Sequence, residues 1–324
     1  MRRLLLTAAA STAAALALSA CGTSEPADPK AGSASERITL TDASGGTVRL
    51  DRPATKVVGT EWNVVESLVT LGVDPVGVAD VKGYTAWDTA APLKNAPKDI
   101  GTRGEPSMDT IAGLTPDLIV TTTDLSASAV KQMKKIAPVL QVRSADGADQ
   151  LGQMNKTLDV IAEATGTQDE AEAAKTSYET KIEAGRKALK DAGAGGSKIA
   201  FADGYSASNQ VSVRAYTAGS QVGAVNEALG LKNAWKLKGD KDYGLATTDV
   251  EGLTGLGKDV RFAYIGNKSE TDVFTKDLAG NSVWKSLPFV KAGEVHRLHD
   301  GIWMFGGPKS MEQYVDAVVT ALTK

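Results

Sequence analysis

The sequence contains only one cysteine, Cys21, and only two histidines, His296 and His299. A lone cysteine excludes an internal disulfide, so the fold has to be stabilised by its core even in an oxidising compartment. The two histidines are three residues apart at the end of a predicted strand, where they would point to opposite faces rather than converge on a metal. The sequence therefore argues against a zinc or manganese site and against haem capture through histidine.

The common catalytic and nucleotide-binding motifs are missing as well. The chain has no Walker loop and no GxGxxG, HExxH or GxSxG pattern. Because Cys21 is the only cysteine and both histidines lie in one region, no nucleophile–base constellation stands out. These absences disfavour an extracellular enzyme, which is kept as an alternative.

The first 20 residues have the pattern of a secretory signal. Arg2 and Arg3 precede an apolar run, Leu4–Leu18, which is too short and wrongly flanked for a membrane span. The motif Leu18-Ser-Ala-Cys21 resembles the lipobox of bacterial lipoproteins, which implies that Cys21 is lipidated and becomes the new N-terminus. Because the paired arginines also suit a twin-arginine signal, the export route stays open.

The segment after Cys21 is small and polar, and the remaining chain is mildly acidic. Residues 21–36 have no periodicity, which predicts a flexible tether. Removing residues 1–20 takes away two arginines and no acids, which leaves 34 basic against 39 acidic residues. This balance argues against a nucleic acid or an anionic membrane surface as partner. About 290 residues follow the tether, enough for one large domain or two lobes.

Strand and helix patterns alternate from residue 37 to the end, which predicts an α/β fold with mostly parallel sheets. The predicted strands of the first half are Ile38–Thr41, Val48–Leu50, Lys56–Gly59, Val76–Val78, Leu118–Thr121 and Val139–Val142. Those of the second half are Lys198–Phe201, Val211–Val213, Val260–Ile265 and Val295–Leu298. The predicted helices are Trp62–Leu71, Ser126–Ile136, Gln221–Leu229 and Gly307–Leu322.

A long helix is predicted between the two halves, at about residues 168–191. The segment is rich in Ala, Glu and Lys, and it has no proline and no glycine before Gly185, which weakens a helix interior by about 1 kcal/mol. Thr167 and Glu170 form a predicted capping box, and Gly193 is placed to end the helix. At 1.5 Å per residue, about 24 residues span about 36 Å, the width of a lobe. We interpret it as a stiff strut, the alternative being a solvated surface helix.

A ten-residue pattern recurs once in the chain. Asp109–Leu118 and Glu251–Val260 share an acid, aliphatic residues at matching positions and a second aspartate, and a strand follows each copy. Two such units favour two similarly built lobes over a chance coincidence. The predicted organisation is an N-terminal lobe at 37–150, a helical region at 151–196 and a C-terminal lobe at 197–324.

Several short segments together resemble a known family. They are Glu61-Trp62, Gly77–Asp80, Tyr84, Trp87, Gly101–Pro106, Asn233–Trp235 and Trp284–Gly293. The chain is similar, in pieces from about Arg37 onward, to the siderophore-binding proteins of ABC importers. The resemblance implies two doubly wound α/β lobes joined by one long helix, with the ligand in the cleft between them. It also implies a monomer whose partners are a ferric siderophore and the permease and ATPase subunits, and which meets the membrane through its lipid anchor only.

The resemblance also suggests which residues contact the ligand. Siderophore oxygens already saturate the iron, so the protein supplies no metal ligand or cofactor but aromatic walls and a few donors. Arg103 matches the family arginine that touches hydroxamate oxygens, with a surface ion pair to Glu105 as the alternative. Arg214 is a second, weaker donor candidate. The wall candidates, for each of which core packing is the alternative, are Trp62, Tyr84, Trp87, Tyr243 and Trp303.

The sequence departs from the family pattern at one segment that bears on the identity of the ligand. After the Leu118–Thr121 strand the hydroxamate-binding relatives carry an aromatic pair, whereas this chain has Thr122-Thr-Asp-Leu-Ser126. Because few basic cleft groups can be placed, a hydroxamate is favoured over a triply negative catecholate complex. A receptor for cobalamin, haem or another chelate is kept as an alternative.

The resemblance assigns a role to the two acids of the repeat. In the family, an acid on the outer surface of each lobe pairs with arginines of the permease, and Asp109 and Glu251 occupy the matching positions. The alternative is that both are helix N-terminal acids, favoured there by the helix dipole and without a partner.

Overall fold

The computed structural model describes residues 37–207, 210–268 and 270–324. The predicted signal at residues 1–20, the tether at 21–36 and the lipidation site Cys21 lie outside the described residues.

The N-terminal lobe is built on a parallel sheet preceded by a hairpin. The hairpin pairs β1 (Ile38–Thr41) with β2 (Thr47–Leu50) in antiparallel register. Five parallel strands then form a sheet in the order β5-β4-β3-β6-β7. They are β3 (Val57–Gly59), β4 (Gly77–Val78), β5 (Lys98–Asp99), β6 (Leu118–Thr122) and β7 (Val139–Val142). All five residues of β6 are buried, because helices cover both faces of the sheet.

Five helices connect and follow these strands. They are α1 (Trp62–Thr70), α2 (Val81–Trp87), α3 (Met108–Leu114), α4 (Ala127–Met133) and α5 (Gln150–Thr165). Each begins after an acid or serine whose side chain accepts a hydrogen bond from a backbone N–H of the first turn. Bounds for α2 and α5 were not predicted from the sequence.

A 24-residue helix, α6 (Gln168–Asp191), leads from the first lobe to the second, as predicted. Its first half packs Ala171 and Ala174 into the N-terminal core, and its second half packs Ile182 and Leu189 into the C-terminal core. Because one continuous helix contributes to both cores, it is a strut rather than a solvated surface helix.

The ends of α6 differ in part from the prediction. The capping box is wrong: Thr167 precedes the helix but makes no side-chain cap, and its hydroxyl lies 2.8 Å from that of Thr165 instead. Gly193 does follow the last turn in a left-handed conformation, with φ +72°, as predicted.

The C-terminal lobe has a six-stranded mixed sheet. The strands are β8 (Lys198–Ala207), β9 (Gln210–Tyr216), β10 (Lys232–Asn233), β11 (Leu245–Thr248), β12 (Val260–Tyr264) and β13 (Val295–Arg297). The main order is β11-β9-β8-β12-β13, and β10 pairs with β8. Strands β10 and β12 pair in parallel with β8, and β13 pairs in parallel with β12. Strand β9 is antiparallel to both of its neighbours, β8 and β11.

Helices α7 (Gln221–Ala228), α8 (Ser282–Ser286), α9 (Pro288–Lys291) and α10 (Pro308–Leu322) complete this lobe. The second copy of the sequence repeat forms a short 3-10 turn at Gly252–Gly255, not an α-helix like α3. The two copies therefore both precede a strand, but they do not form the same type of helix. Within the described ranges, no helix combines the length and apolarity needed to cross a bilayer.

Candidate ligand-binding site

A continuous group of aromatic rings joins the two lobes. Trp62 begins α1, Trp303 and Phe305 lie between β13 and α10, Tyr216 ends β9, and Tyr243 precedes β11. The Trp62 and Trp303 ring centroids are 4.7 Å apart, and Phe305 lies 5.1 Å from Trp303, 5.7 Å from Tyr243 and 5.8 Å from Tyr216. We call these five residues the aromatic cluster.

The two tryptophans at one end of the cluster are fixed by packing. Trp62 is 4% exposed, and its Nε1–H donates to the carbonyl of Ala79 at 3.2 Å. Trp303 is 9% exposed, and its Nε1–H has no hydrogen-bond partner among the described residues. Trp87 packs edge-on against Trp303 at 6.4 Å. An unpaired buried donor costs about 1–3 kcal/mol, so the site has an unmet hydrogen-bonding capacity at Trp303.

Arg103 lies over the tryptophan end of the cluster. Its guanidinium carbon is 4.1 Å from the Trp62 ring centroid and 5.4 Å from that of Trp303, within cation–π range. Its Nη1 donates to Glu61 Oε1 at 2.6 Å. The ion-pair partner of Arg103 is therefore Glu61, whereas the alternative considered from the sequence was Glu105. The Arg103 side chain is 35% exposed, so it is held in place yet still reachable by a ligand.

Arg214 lies at the other end of the cluster. It is directly opposite Asp203 in the antiparallel β8–β9 pair, and its Nε and Nη2 donate to the Asp203 carboxylate. The guanidinium carbon is 5.7 Å from the Phe305 ring and 5.9 Å from the Tyr216 ring. Burial by itself would lower the pKa of Arg214, but Tyr216 and Asp203 more than offset burial and raise the pKa. Arg214 is therefore a permanently charged group of the site.

A third carboxylate links the lobes directly. The Tyr243 hydroxyl donates to Asp124, which follows β6 in the segment where an aromatic pair was expected. Burial and, next, this hydrogen bond to Asp124 raise the pKa of Tyr243, so its hydroxyl remains protonated. The lobes thus meet here through a tyrosine from the C-terminal side and an acid from the N-terminal side.

Tyr84, a predicted wall residue, is a core residue instead. It is fully buried, and its hydroxyl donates to the carbonyl of Ala91 at 2.5 Å. Burial, with Asp88 and Glu66 nearby, raises its pKa. Tyr84 is completely covered and, among the described residues, has no ring contact with the aromatic cluster and no contact with an arginine, so we withdraw it as a candidate.

A buried carboxyl pair holds the loop that carries Trp303 and Phe305. Glu66 of α1 accepts hydrogen bonds from the backbone N–H groups of Gly307 and Ser310, at 2.7 and 2.8 Å, and from the Ser310 hydroxyl. Asp88 is also buried, and burial followed by the Glu66 charge raises its pKa well above the ordinary value. Burial also raises the pKa of Glu66, against the opposing effect of its hydrogen bonds. Since Glu66 accepts three hydrogen bonds that favour its charged form, we expect the proton of the pair to lie on Asp88.

The predicted docking acids are both on the surface. Asp109 lies in the first turn of α3, and Glu251 lies directly before the 3-10 turn. Among the described residues neither side chain forms an ion pair. Their role in docking stays a prediction.

The histidines are each engaged locally. His296 Nε2 lies 2.9 Å from Glu294, and His299 Nδ1 lies 2.9 Å from the carbonyl of Asp300. In the described part of the chain, no three His, Cys, Asp or Glu side chains are grouped so that they could hold a metal ion.

Sequence reasoning did not identify several residues of the site. Phe305 is at the centre of the aromatic cluster, and Glu61, Asp203 and Asp124 are the acidic partners. Phe305 could have been found, because it is two residues from Trp303 in the same predicted loop. The acids could not, because their importance depends on which arginine or tyrosine the fold brings near them.

The chain is similar to known proteins along most of its length. It is 26% identical to the probable siderophore-binding lipoprotein YfiY of Bacillus subtilis, over 96% of this chain and 95% of that protein. It is 25% identical to the iron(3+)-hydroxamate-binding protein FhuD of Escherichia coli, over 82% of this chain and 86% of that protein.

Solved structures confirm the fold class. The structure of the Fe3+–Desferal-bound siderophore-binding protein FhuD of Vibrio cholerae superposes with a TM-score of 0.74 at 24% identity, covering 83% of this chain and 98% of that one. A family model described as periplasmic binding protein matches residues 57–301. This match spans well over half of the sequence, and the chain therefore belongs to the periplasmic binding protein family.

Proposed function

We propose that this chain is the extracytoplasmic receptor of an ABC importer, and that it captures a ferric siderophore at the aromatic cluster. The family consists of binding proteins rather than enzymes. The two relatives described above are named for siderophore binding and for iron(3+)-hydroxamate binding. The observation that carries the proposal is the position of Arg103 over Trp62 and Trp303.

The chemistry of the cluster suits such a ligand. A ferric siderophore presents an organic scaffold and metal-bound oxygens that carry partial negative charge. Aromatic rings from both lobes provide the apolar wall, and the N–H groups of Arg103 that Glu61 does not use can donate to those oxygens. Because the iron arrives with its coordination complete, the proposal requires no metal ligand and no cofactor from the protein.

We favour a hydroxamate-type siderophore. The cluster is touched by two guanidinium groups, Arg103 and Arg214, and a triply negative catecholate complex would call for more cationic groups. The hydroxamate-binding relative is similar over most of its length, which supports the same choice.

The proposed location is the outer face of the cell membrane. The lipobox-like motif ending in Cys21 supports cleavage before Cys21 and diacylglycerol attachment, which anchors a protein much better than one acyl chain. Mass spectrometry of the native protein should show a lipidated Cys21 at the N-terminus, and Cys21→Ala should release the protein into the medium. A native protein that begins elsewhere without lipid would overturn this part of the proposal.

The proposed partners are the permease subunits and their ATPase, with the receptor acting as a monomer. Asp109 and Glu251 are exposed and unpaired within the described residues, as docking acids would be before the complex forms.

The ligand is identified by titrating the full-length protein with a panel of ferric complexes and following tryptophan fluorescence. Three of the five tryptophans, Trp62, Trp87 and Trp303, lie in or against the cluster, so an iron chromophore bound there should quench strongly. The panel contains ferric hydroxamates, catecholates and citrate, with haem and cobalamin as competing chelates. We expect saturable binding of a ferric hydroxamate; binding of cobalamin or haem alone would overturn the proposal.

A further inference from the structure

Each arginine of the candidate site has its own carboxylate. Arg103 pairs with Glu61, and Arg214 pairs with Asp203. A third carboxylate, Asp124, is bound to the Tyr243 hydroxyl and has no arginine or lysine partner in the described part of the chain. Among the described residues, the charged groups that bond to a side chain of the aromatic cluster or to its arginines are thus three carboxylates and two guanidinium groups.

The two pairing acids are fixed by the backbone. Glu61 immediately precedes α1, and the oxygen that accepts from Arg103 also accepts from the Trp62 N–H at 2.9 Å. Asp203 faces Arg214 in the β8–β9 register, and the Tyr216 hydroxyl donates to it at 3.1 Å. Each acid would therefore have to give up a second hydrogen bond, from the Trp62 N–H or from the Tyr216 hydroxyl, to move away from its arginine.

We propose that Glu61 and Asp203 are specificity-determining residues that make the cleft select ferric complexes by net charge. The cleft accepts complexes that are neutral or carry one positive charge and rejects complexes with net negative charge. This inference rests on the proposed function and adds to it the charge class of the ligand.

Pairing with a carboxylate leaves an arginine able to donate hydrogen bonds but balances its positive charge. Arg103 donates a hydrogen bond to Glu61 through Nη1, and its remaining N–H groups can donate to hydroxamate oxygens. Its positive charge, however, is already balanced by Glu61 at 2.6 Å. A ligand oxygen with partial negative charge can still be bound through directed hydrogen bonds, whereas a net anion receives no overall electrostatic attraction.

Burial keeps these charges from being screened. The Asp203 side chain is 11% exposed and that of Glu61 26% exposed, and an occupied cleft would cover both further. In such an environment the effective dielectric constant is far below that of water, so unit charges several ångströms apart interact by kilocalories rather than tenths. The surplus carboxylate, Asp124, then repels an anionic complex and attracts an ammonium group on a ligand.

The test uses one siderophore scaffold with three charges. A linear ferric trihydroxamate with a free terminal amine carries one positive charge, its N-acetyl derivative is neutral, and its N-succinyl derivative carries one negative charge. The iron site and chain are the same in all three, so differences in Kd report charge. For the wild-type full-length protein we expect the cationic and neutral forms to bind within about threefold of each other and the anionic form about tenfold more weakly.

Two isosteric variants test the named residues. Glu61→Gln and Asp203→Asn each keep an oxygen for the arginine and remove one negative charge. We expect each to lower the ratio of the anionic-form Kd to the neutral-form Kd by about tenfold. Asp316→Asn is the matched control, because it removes the same charge from an ion pair between α6 and α10, at Lys181. It should leave all three Kd values unchanged.

The outcomes separate this inference from the proposed function. If the wild-type protein binds all three derivatives equally, or if neither variant lowers the ratio of the anionic-form Kd to the neutral-form Kd, the charge selection is wrong although the siderophore function stands. Binding of the neutral form by both variants shows that they are folded. If no ferric siderophore binds at all, the proposed function is wrong and this inference with it.

Discussion

The guanidinium of Arg103 lies over the indole of Trp62, with 4.1 Å between the guanidinium carbon and the ring centroid. Arg103 comes from the loop before α3 and Trp62 from the first turn of α1, and the ring that packs edge-on against Trp62, that of Trp303, comes from near the far end of the chain. A donor and its apolar wall are thus assembled from segments that only the complete fold brings together. The site therefore depends on how the two lobes are held together. The following predictions test the site and the packing of the fold.

Phe305 should contribute to ligand binding although the sequence did not point to it. Its ring contacts Trp303, Tyr216 and Tyr243 and lies 5.7 Å from the Arg214 guanidinium carbon. An aromatic contact between Phe305 and the ligand would contribute about 0.5–1.5 kcal/mol, so Phe305→Ala should weaken ferric siderophore binding by about twofold to about tenfold. Isothermal titration gives the Kd. Leu237→Ala, which removes an exposed apolar side chain, is the control and should bind normally; an unchanged Kd for Phe305→Ala would place the ligand elsewhere.

Asp88 should make stability depend on pH in a defined direction. Its pKa is raised in the folded state by burial and by Glu66, so between the ordinary carboxyl pKa and the raised value the folded protein binds more protons than the unfolded chain. The contribution of this group to stability is therefore full at low pH and is lost as the pH rises through that window. Asp88→Asn, which mimics the protonated form, should increase the free energy of unfolding by about 1–3 kcal/mol near about pH 8 and much less near about pH 5.

Urea unfolding at the two pH values measures this difference. Asp74→Asn, which removes an exposed acid, should show little change at either pH. A gain in Asp88→Asn that is equal at both pH values would mean that Asp88 is not the protonated member of the pair.

Gly185 in the middle of α6 should resist replacement. Glycine-to-alanine changes in helices usually stabilise by about 0.5–1 kcal/mol. A Cβ at Gly185 would lie 2.8 Å from methyl groups of Leu229 and Val315, both fully buried, so Gly185→Ala should lower the free energy of unfolding by about 1–3 kcal/mol. Gly113 in α3 has nothing within 4 Å of the position that a methyl group would occupy, and Gly113→Ala should show the usual gain. Thermal or urea unfolding compares the two, and stabilisation by both would contradict the close packing of α6.

Asp109 and Glu251 should matter for uptake and not for ligand binding. Reversing both charges, Asp109→Lys with Glu251→Lys, should leave the siderophore Kd within about twofold, because neither residue contacts the aromatic cluster. Uptake should fall sharply, since each unpaired or repelled interfacial charge costs on the order of 2–5 kcal/mol. Radiolabelled iron uptake in cells that carry only the variant measures this. Normal uptake would mean that the two acids have no role in docking to the permease.

The parts of the fold predicted well are those fixed by local sequence. Helix α6 matches its prediction because Ala, Glu and Lys favour a helix over the whole segment, and Gly193 ends it. Helix α2 was missed because seven residues that include a glycine and a threonine carry too little periodicity. Strands β8 and β9 are longer than predicted because their outer halves are stabilised by pairing with each other, which the sequence of either strand does not reveal.

The site was predicted in outline only. Arg103 and Trp303 are brought together with Trp62, since loop positions and aromatic type were informative. The prediction that Tyr84 lines the ligand site was wrong, because a tyrosine can be buried in a core when its hydroxyl donates to a carbonyl, here that of Ala91. The carboxylate partners Glu61 and Asp203 were beyond sequence reasoning because ion pairs are selected by tertiary distance and not by residue type.

The most direct test of the central claim is a fluorescence titration of a neutral ferric trihydroxamate against the wild-type protein and Arg103→Ala. Arg103 donates from a partly desolvated position, and charged hydrogen bonds of this kind contribute about 1.5–3 kcal/mol. The account predicts saturable quenching for the wild type and an increase in Kd of about tenfold to about a hundredfold for Arg103→Ala, with Lys only partly restoring affinity because it lacks the planar fork. Equal Kd values for the wild type and Arg103→Ala would contradict it.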